Sequence, residues 1–438
     1  MKKILFRNFT YIDKNNCIEY SKDILVEGNT IKSIKDSNIN KIEELIADDF
    51  DDVIDGKGKV LLPGFVNAHT HLPMTLLRGY SENLKLNEWL FDKVFPFEDQ
   101  LNEKNVYWAS KLAIAEALRF GITSISDMYF FTTSIADAVI DSKFRANLSR
   151  SISHFDDTDF MTSNRASEMI ELYERYGGLK DDRLKIDASI HAEYTITKNA
   201  AVSVCEFAKK HNMRMQVHLS ETKKENDDCY KRHSMSPTKF LKECGAFDIP
   251  ATAAHCVWID DDDLMILKEK NVTVVTNPIS NLKLLSGICD VKRYLDSGIN
   301  VALGTDGTAS NNSFNFIEEM KTLALTANFK ADDPAALKPI KILDIATKNG
   351  YIAQGRENLG YISEGMKADL IVVNTDKPNM QPVHNLLNNI VYSSDGSDVY
   401  LTMVDGNILY KNGEYTTIDI DKTIFEVDKY TRKILEKI

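Results

Sequence analysis

Between residues 64 and 305 the chain repeats one unit, a short apolar run of strand length followed by a stretch with helical spacing. The runs cover residues 64–71, 122–128, 145–152, 184–191, 214–219, 251–257, 272–276 and 299–305. Strands that alternate with helical patterns indicate parallel pairing, because a helix carries the chain back before the next strand starts in the same direction. Eight such units in a segment somewhat longer than the ~250 residues of a typical (β/α)8 barrel predict an α/β fold built on a TIM-like barrel. The stretch "EKNVYWASKLAIAEALRFG" is one of the intervening helices, and Gly121 stands where a left-handed C′ residue would end it.

The two ends of the chain have a different texture. "KKILFRNFTYI", "DILVEGNTIKSI" and "DVIDGKGKVLLPG" read as short strands with hairpin turns at EGN and DGKG. From residue 367 onward "ADLIVVNTD", "NIVYSSDG" and "VYLTMVDGNILYKNGEY" read the same way, followed by a helix from Asp421. β-rich pieces at opposite ends of a chain commonly close on each other. Residues 1–60 and 361–438 are therefore expected to form one small β-sandwich domain, leaving 61–360 as the barrel.

A net charge of −12, spread along the chain rather than gathered in a tail, disfavours contact with nucleic-acid phosphates. The six cysteines form no CxxC pair, so they read as reduced core thiols of a cytoplasmic protein. The apolar run after Met1 is too short for a signal peptide, and no run reaches the ~18 residues of a membrane span. A cytoplasmic protein with neither nucleic acid nor membrane as partner is expected.

In a barrel the reactive side chains stand where strands end and βα loops begin. Five of the nine histidines fall there. The first strand ends His69-Thr70-His71, and alternation along a strand sends both imidazoles to one side, as two ligands of one metal require. The fourth ends at His191, the fifth at His218 with Glu221 just beyond, the sixth at His255, and the eighth runs into Asp306. A single histidine on a strand is as readily a hydrogen-bonded structural residue as a ligand. Imidazoles and a carboxylate at successive barrel mouths together suit one divalent ion of borderline softness, Zn2+ first, with Fe2+ or Mn2+ as alternatives. His154, His211, His233 and His384 fall in loops or near a helix end and read as surface residues.

The segments "PGFVNAHTH", "HLSE", "AAHC" and "GTDGTASNN", in this order, resemble the amidohydrolase superfamily, and within it the 5′-methylthioadenosine/S-adenosylhomocysteine deaminases and their chlorohydrolase relatives. The resemblance covers nearly the whole chain, the split terminal β-domain included. It implies metal ligands His69, His71, His218 and Asp306, a proton-transfer role for Glu221, and a water-orienting role for His255 together with Asp306. It also implies hydrolytic removal of ammonia from an aminopurine, with Glu221 protonating the ring nitrogen. Binuclear relatives that cleave cyclic amides carry a lysine at the end of the fourth strand. Here that place reads Ile190-His191-Ala192-Glu193, which favours one metal and deaminase chemistry. Glu193 itself reads as a solvated loop charge.

The same resemblance implies substrate contacts: Glu98 for ribose hydroxyls, Arg150 and Arg165 for the carboxylate of a polar tail, His191 for the nucleoside, and Ser310 near the tail. Guanidinium suits a carboxylate by bidentate pairing. Trp89 and Trp258 are candidates to stack on a base, although core packing is the commoner role of tryptophan. The expected partner is a small 5′-modified adenosine, with homo-oligomers expected from the relatives. Guanine deaminase or triazine chlorohydrolase chemistry is the nearest alternative. A non-catalytic assembly protein is the alternative of another class, disfavoured because all four ligand positions are filled.

Overall fold

The computed structural model describes residues 1–37, 50–80, 82–84 and 86–438. The N-terminal segment supplies β1 (Lys3–Ile12), β2 (Ile18–Glu27), β3 (Thr30–Asp36), β4 (Asp52–Asp55) and β5 (Lys59–Pro63). The barrel strands follow: β6 (Phe65–Thr70), β7 (Ile122–Tyr129), β8 (Arg145–Ile152), β9 (Leu184–Ile190), β10 (Met215–Leu219), β11 (Ala251–His255), β12 (Thr273–Thr276) and β13 (Val301–Leu303). The C-terminal segment adds β14 (Leu370–Asn374), β15 (Val399–Val404), β16 (Asn407–Lys411) and β17 (Glu414–Tyr415), then a helix over Ile420–Leu435.

β6 to β13 pair in sequence order, each neighbour parallel, as the eight apolar runs predict. Between β13 and β6 the ring is joined by side chains and one backbone bond. Asn67 accepts from the Thr305 N–H at 3.0 Å and donates to Thr305 Oγ1 at 2.7 Å, and the Asp306 N–H donates to the His69 carbonyl at 3.1 Å. Gly304 lies at this seam because a Cβ there would sit 2.4 Å from Asn277 Oδ1 and 2.9 Å from the His69 oxygen. The helix Glu103–Arg119 is capped at its start by a reciprocal Asn102/Asn105 box, and beyond it Gly121 adopts φ +79°, the left-handed turn expected of it.

The terminal segments come together, their strands joined in one mixed, branched network of nine. Irregularities in β1 at Phe6/Phe9 and Phe9/Tyr11 split its pairing: its first half runs parallel to β4, its second half parallel to β5. β5 then pairs with β14, which joins the N-terminal strands to those from the C-terminus. Phe6, Phe9, Val26, Leu61, Leu370 and Leu401 fill a core of their own. "NIVYSSDG" departs from its predicted strand. Asn385 caps a helical turn over Leu386–Asn388 that continues through Asn389–Ser393 and buries Ile390 and Val391.

Arg145, at the start of β8, fastens the sheet to the barrel. Its guanidinium meets Asp369 at 2.6 and 3.0 Å, both side chains being fully buried. No helix among the described residues is long and apolar enough to cross a membrane. Five of the six cysteines are buried as free thiols and Cys17 is exposed.

Candidate metal centre and active site

The ends of β6, β10 and β13 bring His69, His71, His218 and Asp306 together, one ligand atom from each lying within 4.8 Å of the others. The imidazole protons can be placed from their partners. His71 Nδ1 is 2.7 Å from the Met128 carbonyl oxygen and His218 Nδ1 is 2.7 Å from that of His191. A carbonyl only accepts, so each Nδ1 carries the hydrogen and each Nε2 presents a lone pair. Those two Nε2 atoms are 3.4 Å apart, and His71 Nε2 is 3.1 Å from Asp306 Oδ1. His69 Nε2 is 3.6 Å from the same oxygen and has no hydrogen-bond partner.

Electron pairs crowded in this way repel one another unless a cation lies among them. The donor set therefore fits a divalent ion, and three nitrogens with one carboxylate match the borderline-soft class. The protonation states of His69 and His218 agree with neutral donors. Burial pushes the His69 imidazole down to about 4 and, with the neighbouring histidines, drives His218 well below its ordinary range. Burial opposes ionisation of Asp306 too, but the imidazoles of His69, His71 and His255 beside it outweigh that and hold the carboxyl well below its usual value. Asp306 is also fixed mechanically: Ser280 and Ser310 donate to Oδ2 at 2.7 and 2.9 Å, and the Gly307 N–H donates to Oδ1 at 2.8 Å.

Glu221 and His255 flank this cluster, with His255 Nε2 3.9 Å from Glu221 Oε2. His255 Nδ1 donates to Asn281 Oδ1 at 2.8 Å, which leaves its Nε2 towards Glu221. Burial works against a charged His255, yet the carboxylates of Glu221 and Asp306 raise its pKa overall. Ser286 donates to Glu221 Oε1 at 2.8 Å. Behind it, the Ser220 and Glu221 N–H groups donate to the buried Glu225 carboxylate at 2.9 and 2.8 Å. Ser220, His255, Cys256 and Asp306 all hold positive φ, from +45° to +72°. Non-glycine residues pay of order 1 kcal/mol each for that conformation, and here it turns the chain out of the strand at the catalytic level.

A cavity of about 500 Å³ opens from His71 and His191. Glu98 lines it, its carboxyl pushed up to about 7 by burial despite a hydrogen bond from the Tyr129 hydroxyl. Arg150, Arg165 and Glu168 line it farther along, with Phe130, Phe131 and Phe155. His191 Nδ1 lies 3.1 Å from Thr195 Oγ1.

Some residues take other places than their local sequence suggests. Ser310 lies under Asp306 and does not line the cavity, because the turn after Gly307 folds it back to the carboxylate. Arg150 already has a carboxylate partner, Glu168, and also donates to the Ser151 carbonyl. Glu193 is buried, not solvated: Arg232 and His233, at the end of the helix Lys223–His233, pair with it and replace the water it loses. His154 is 3% exposed, held between two loops by backbone bonds to Thr195 and Thr197. Trp89 is buried and Trp258 is 40% exposed with its indole donating to Ser286; neither lines the cavity. Lys185 reaches the Gly355 carbonyl and stays away from the site.

Sequence reasoning did not single out Asn67, Asn281, Ser280, Ser286, Glu225 or Tyr129. Asn277 and Asn281 carry a readable signal, a four-residue spacing across a helix begun by Pro278 that presents both to one neighbour. Glu225 is tied to Ser220 and Glu221, five and four residues before it, and the others become visible only through partners distant in sequence.

Comparison with known proteins agrees with this geometry. The amidohydrolase family model matches residues 60–409. A 5-methylthioadenosine/S-adenosylhomocysteine deaminase of Dictyoglomus turgidum is 38% identical over 99% of this chain and 100% of its own length. A 5′-deoxyadenosine deaminase of Methanocaldococcus jannaschii is 40% identical over 92% of this chain and 94% of its own. Among solved structures, an adenosine deaminase from Xanthomonas campestris with bound zinc superposes with a TM-score of 0.92 at 27% identity, covering 99% of both chains. A family match over most of the sequence, together with relatives this similar across their full length, shows that the chain belongs to the amidohydrolase family.

Proposed function

We propose that the protein is a metal-dependent aminohydrolase that deaminates the adenine of a 5′-modified adenosine, S-adenosylhomocysteine and 5′-methylthioadenosine being the leading substrates. The observation that carries this reading is the pairing of Glu221 with His255 at 3.9 Å beside the His69, His71, His218 and Asp306 cluster, whose His71 lines a cavity large enough for a nucleoside. The names of the relatives point to the same reaction class.

His69, His71, His218 and Asp306 would hold a divalent ion, zinc before iron or manganese, which when bound would lower the pKa of water towards neutrality and supply a nucleophile at pH 7. His255, its Nδ1 committed to Asn281, offers Nε2 to orient that water, and Asp306 accepts its proton. Glu221, steadied by Ser286, passes a proton to the ring nitrogen beside the amine-bearing carbon. A C–O bond then replaces the C–N bond and ammonia leaves. Glu98 meets the ribose hydroxyls and His191 the nucleoside, while Arg165 and the unused donors of Arg150 face the 5′ substituent.

In this reading the partner is a small nucleoside, the protein works in the cytoplasm where its thiols stay reduced, and like chains assemble. Purified protein loaded with zinc and given each nucleoside tests the activity by ammonia release. No ammonia from either nucleoside would remove the reading; light scattering on the same sample reports the assembly.

A further inference from the structure

The part of the cavity beyond the nucleoside position holds an unusual balance of charge. Arg150 is 6% exposed and its guanidinium lies 4.9 Å above the Phe130 ring, so its position is fixed by packing as well as by charge. Its Nε–H donates to Glu168, and one terminal nitrogen donates to the Ser151 carbonyl. One donor on each of the two edges by which the guanidinium could grip a substrate carboxylate in bidentate fashion is therefore already used, one of them by a carboxylate of the protein itself. Glu168 stands on the helix Asn164–Tyr176, three residues after Arg165, and both line the cavity. Its carboxylate is 43% exposed, so it acts on whatever enters as well as on Arg150. Around these three charges the wall is aromatic, from Phe130, Phe131 and Phe155.

We propose that Glu168 is a specificity-determining residue, which disfavours 5′ substituents of net negative charge and leaves the site to neutral or zwitterionic ones. This rests on the nucleoside reading given above. A purely anionic tail has to approach Glu168 closely in order to reach Arg150, and like charges brought together in a partly dry site are costly. A neutral tail meets the aromatic wall with no such opposition. A zwitterionic tail places its carboxylate towards Arg165 and its ammonium towards Glu168.

The test compares two nucleosides that differ at one point, 5′-methylthioadenosine and the analogue in which a carboxyethylthio group replaces methylthio. Both are given to zinc-loaded wild-type enzyme and to Glu168→Gln, whose amide oxygen still accepts from Arg150 but carries no charge. The ratio of kcat/KM for the anionic analogue over methylthioadenosine is expected to rise about tenfold in the variant, chiefly through KM, since the tail lies away from the reacting carbon. Because both substrates share the adenosine portion, any general damage from the substitution cancels in the ratio. A ratio that stays within twofold, or falls, overturns the assignment of Glu168 while leaving deamination intact. Failure of the wild-type enzyme to deaminate either nucleoside overturns the assignment together with the activity it rests on.

Discussion

Replacing Glu221 by Gln removes one proton-transfer group and little else. Ser286 donates to Glu221 Oε1 at 2.8 Å, and the amide oxygen of Gln accepts the same bond, so the side chain keeps its position. Glu221 contributes no atom to the four-ligand cluster, whose closest contacts are His71 to Asp306 at 3.1 Å and His71 to His218 at 3.4 Å. Metal content is therefore expected to be unchanged. The amide cannot deliver a proton to the ring nitrogen, and general acid–base groups contribute roughly 10²–10⁴ in rate. That range equals about 3–5 kcal/mol of barrier at ~1.4 kcal/mol per decade. Turnover followed as ammonia, with metal measured on the same sample by plasma mass spectrometry, separates the two effects. Full turnover by Glu221→Gln refutes the proton-transfer role; loss of metal along with turnover shows that the geometry assigned to the cluster is wrong.

Other perturbations follow from the same structure. His71→Ala removes a lone pair from the cluster and the ring that bonds Met128; less than about a tenth of an equivalent of zinc and background turnover are expected, with circular dichroism retained, as for loss of one of four ligands. Asp369→Ala removes the two shortest bonds of the buried Arg145 guanidinium and leaves it Asp405 at 3.3 Å and Asp182 at 3.4 Å; a cost of about 3 kcal/mol, at the low end for a broken buried pair, should lower the melting midpoint by roughly 3 °C in a chain of this length. Glu319, which accepts from the Ile279 N–H and the Asn311 amide, has its carboxyl raised by burial from 4.5 to about 8. The folded protein thus keeps a proton that the unfolded chain loses above pH 4.5, so this contribution to stability is present at low pH and is lost as pH rises to about 8. Denaturant titrations across that window should show a slope of up to ~1.4 kcal/mol per pH unit from this group, absent in Glu319→Gln.

The sequence makes the barrel and the cluster readable for related reasons. Strand periodicity fixes which side His69 and His71 share, and the strand ends of a barrel converge, so His218, His255 and Asp306 meet them without any knowledge of loop conformation. Residues whose state depends on another βα unit escape this logic. Glu193 is solvated or buried according to whether Arg232 reaches it, and the two are 39 residues apart. Arg145 and Asp369 are 224 residues apart, and Arg145 reads locally as an ordinary surface charge at the foot of a strand. His154 looks like a loop residue until the pairing of its backbone with Thr195 and Thr197 is seen. The terminal domain was legible as β structure, but the division of β1 between β4 and β5 was not, because the irregularities that produce it leave no mark in composition.

The central claim is that these residues hydrolyse an exocyclic amine from an adenine ring. Zinc-loaded protein incubated with 5′-methylthioadenosine, with ammonia release and the ultraviolet shift from adenine to hypoxanthine followed together, tests it most directly. One ammonia for each hypoxanthine chromophore formed is expected, and none of either from the His71→Ala variant. An unchanged spectrum and no ammonia from a metal-replete sample, with S-adenosylhomocysteine equally inert, would contradict it.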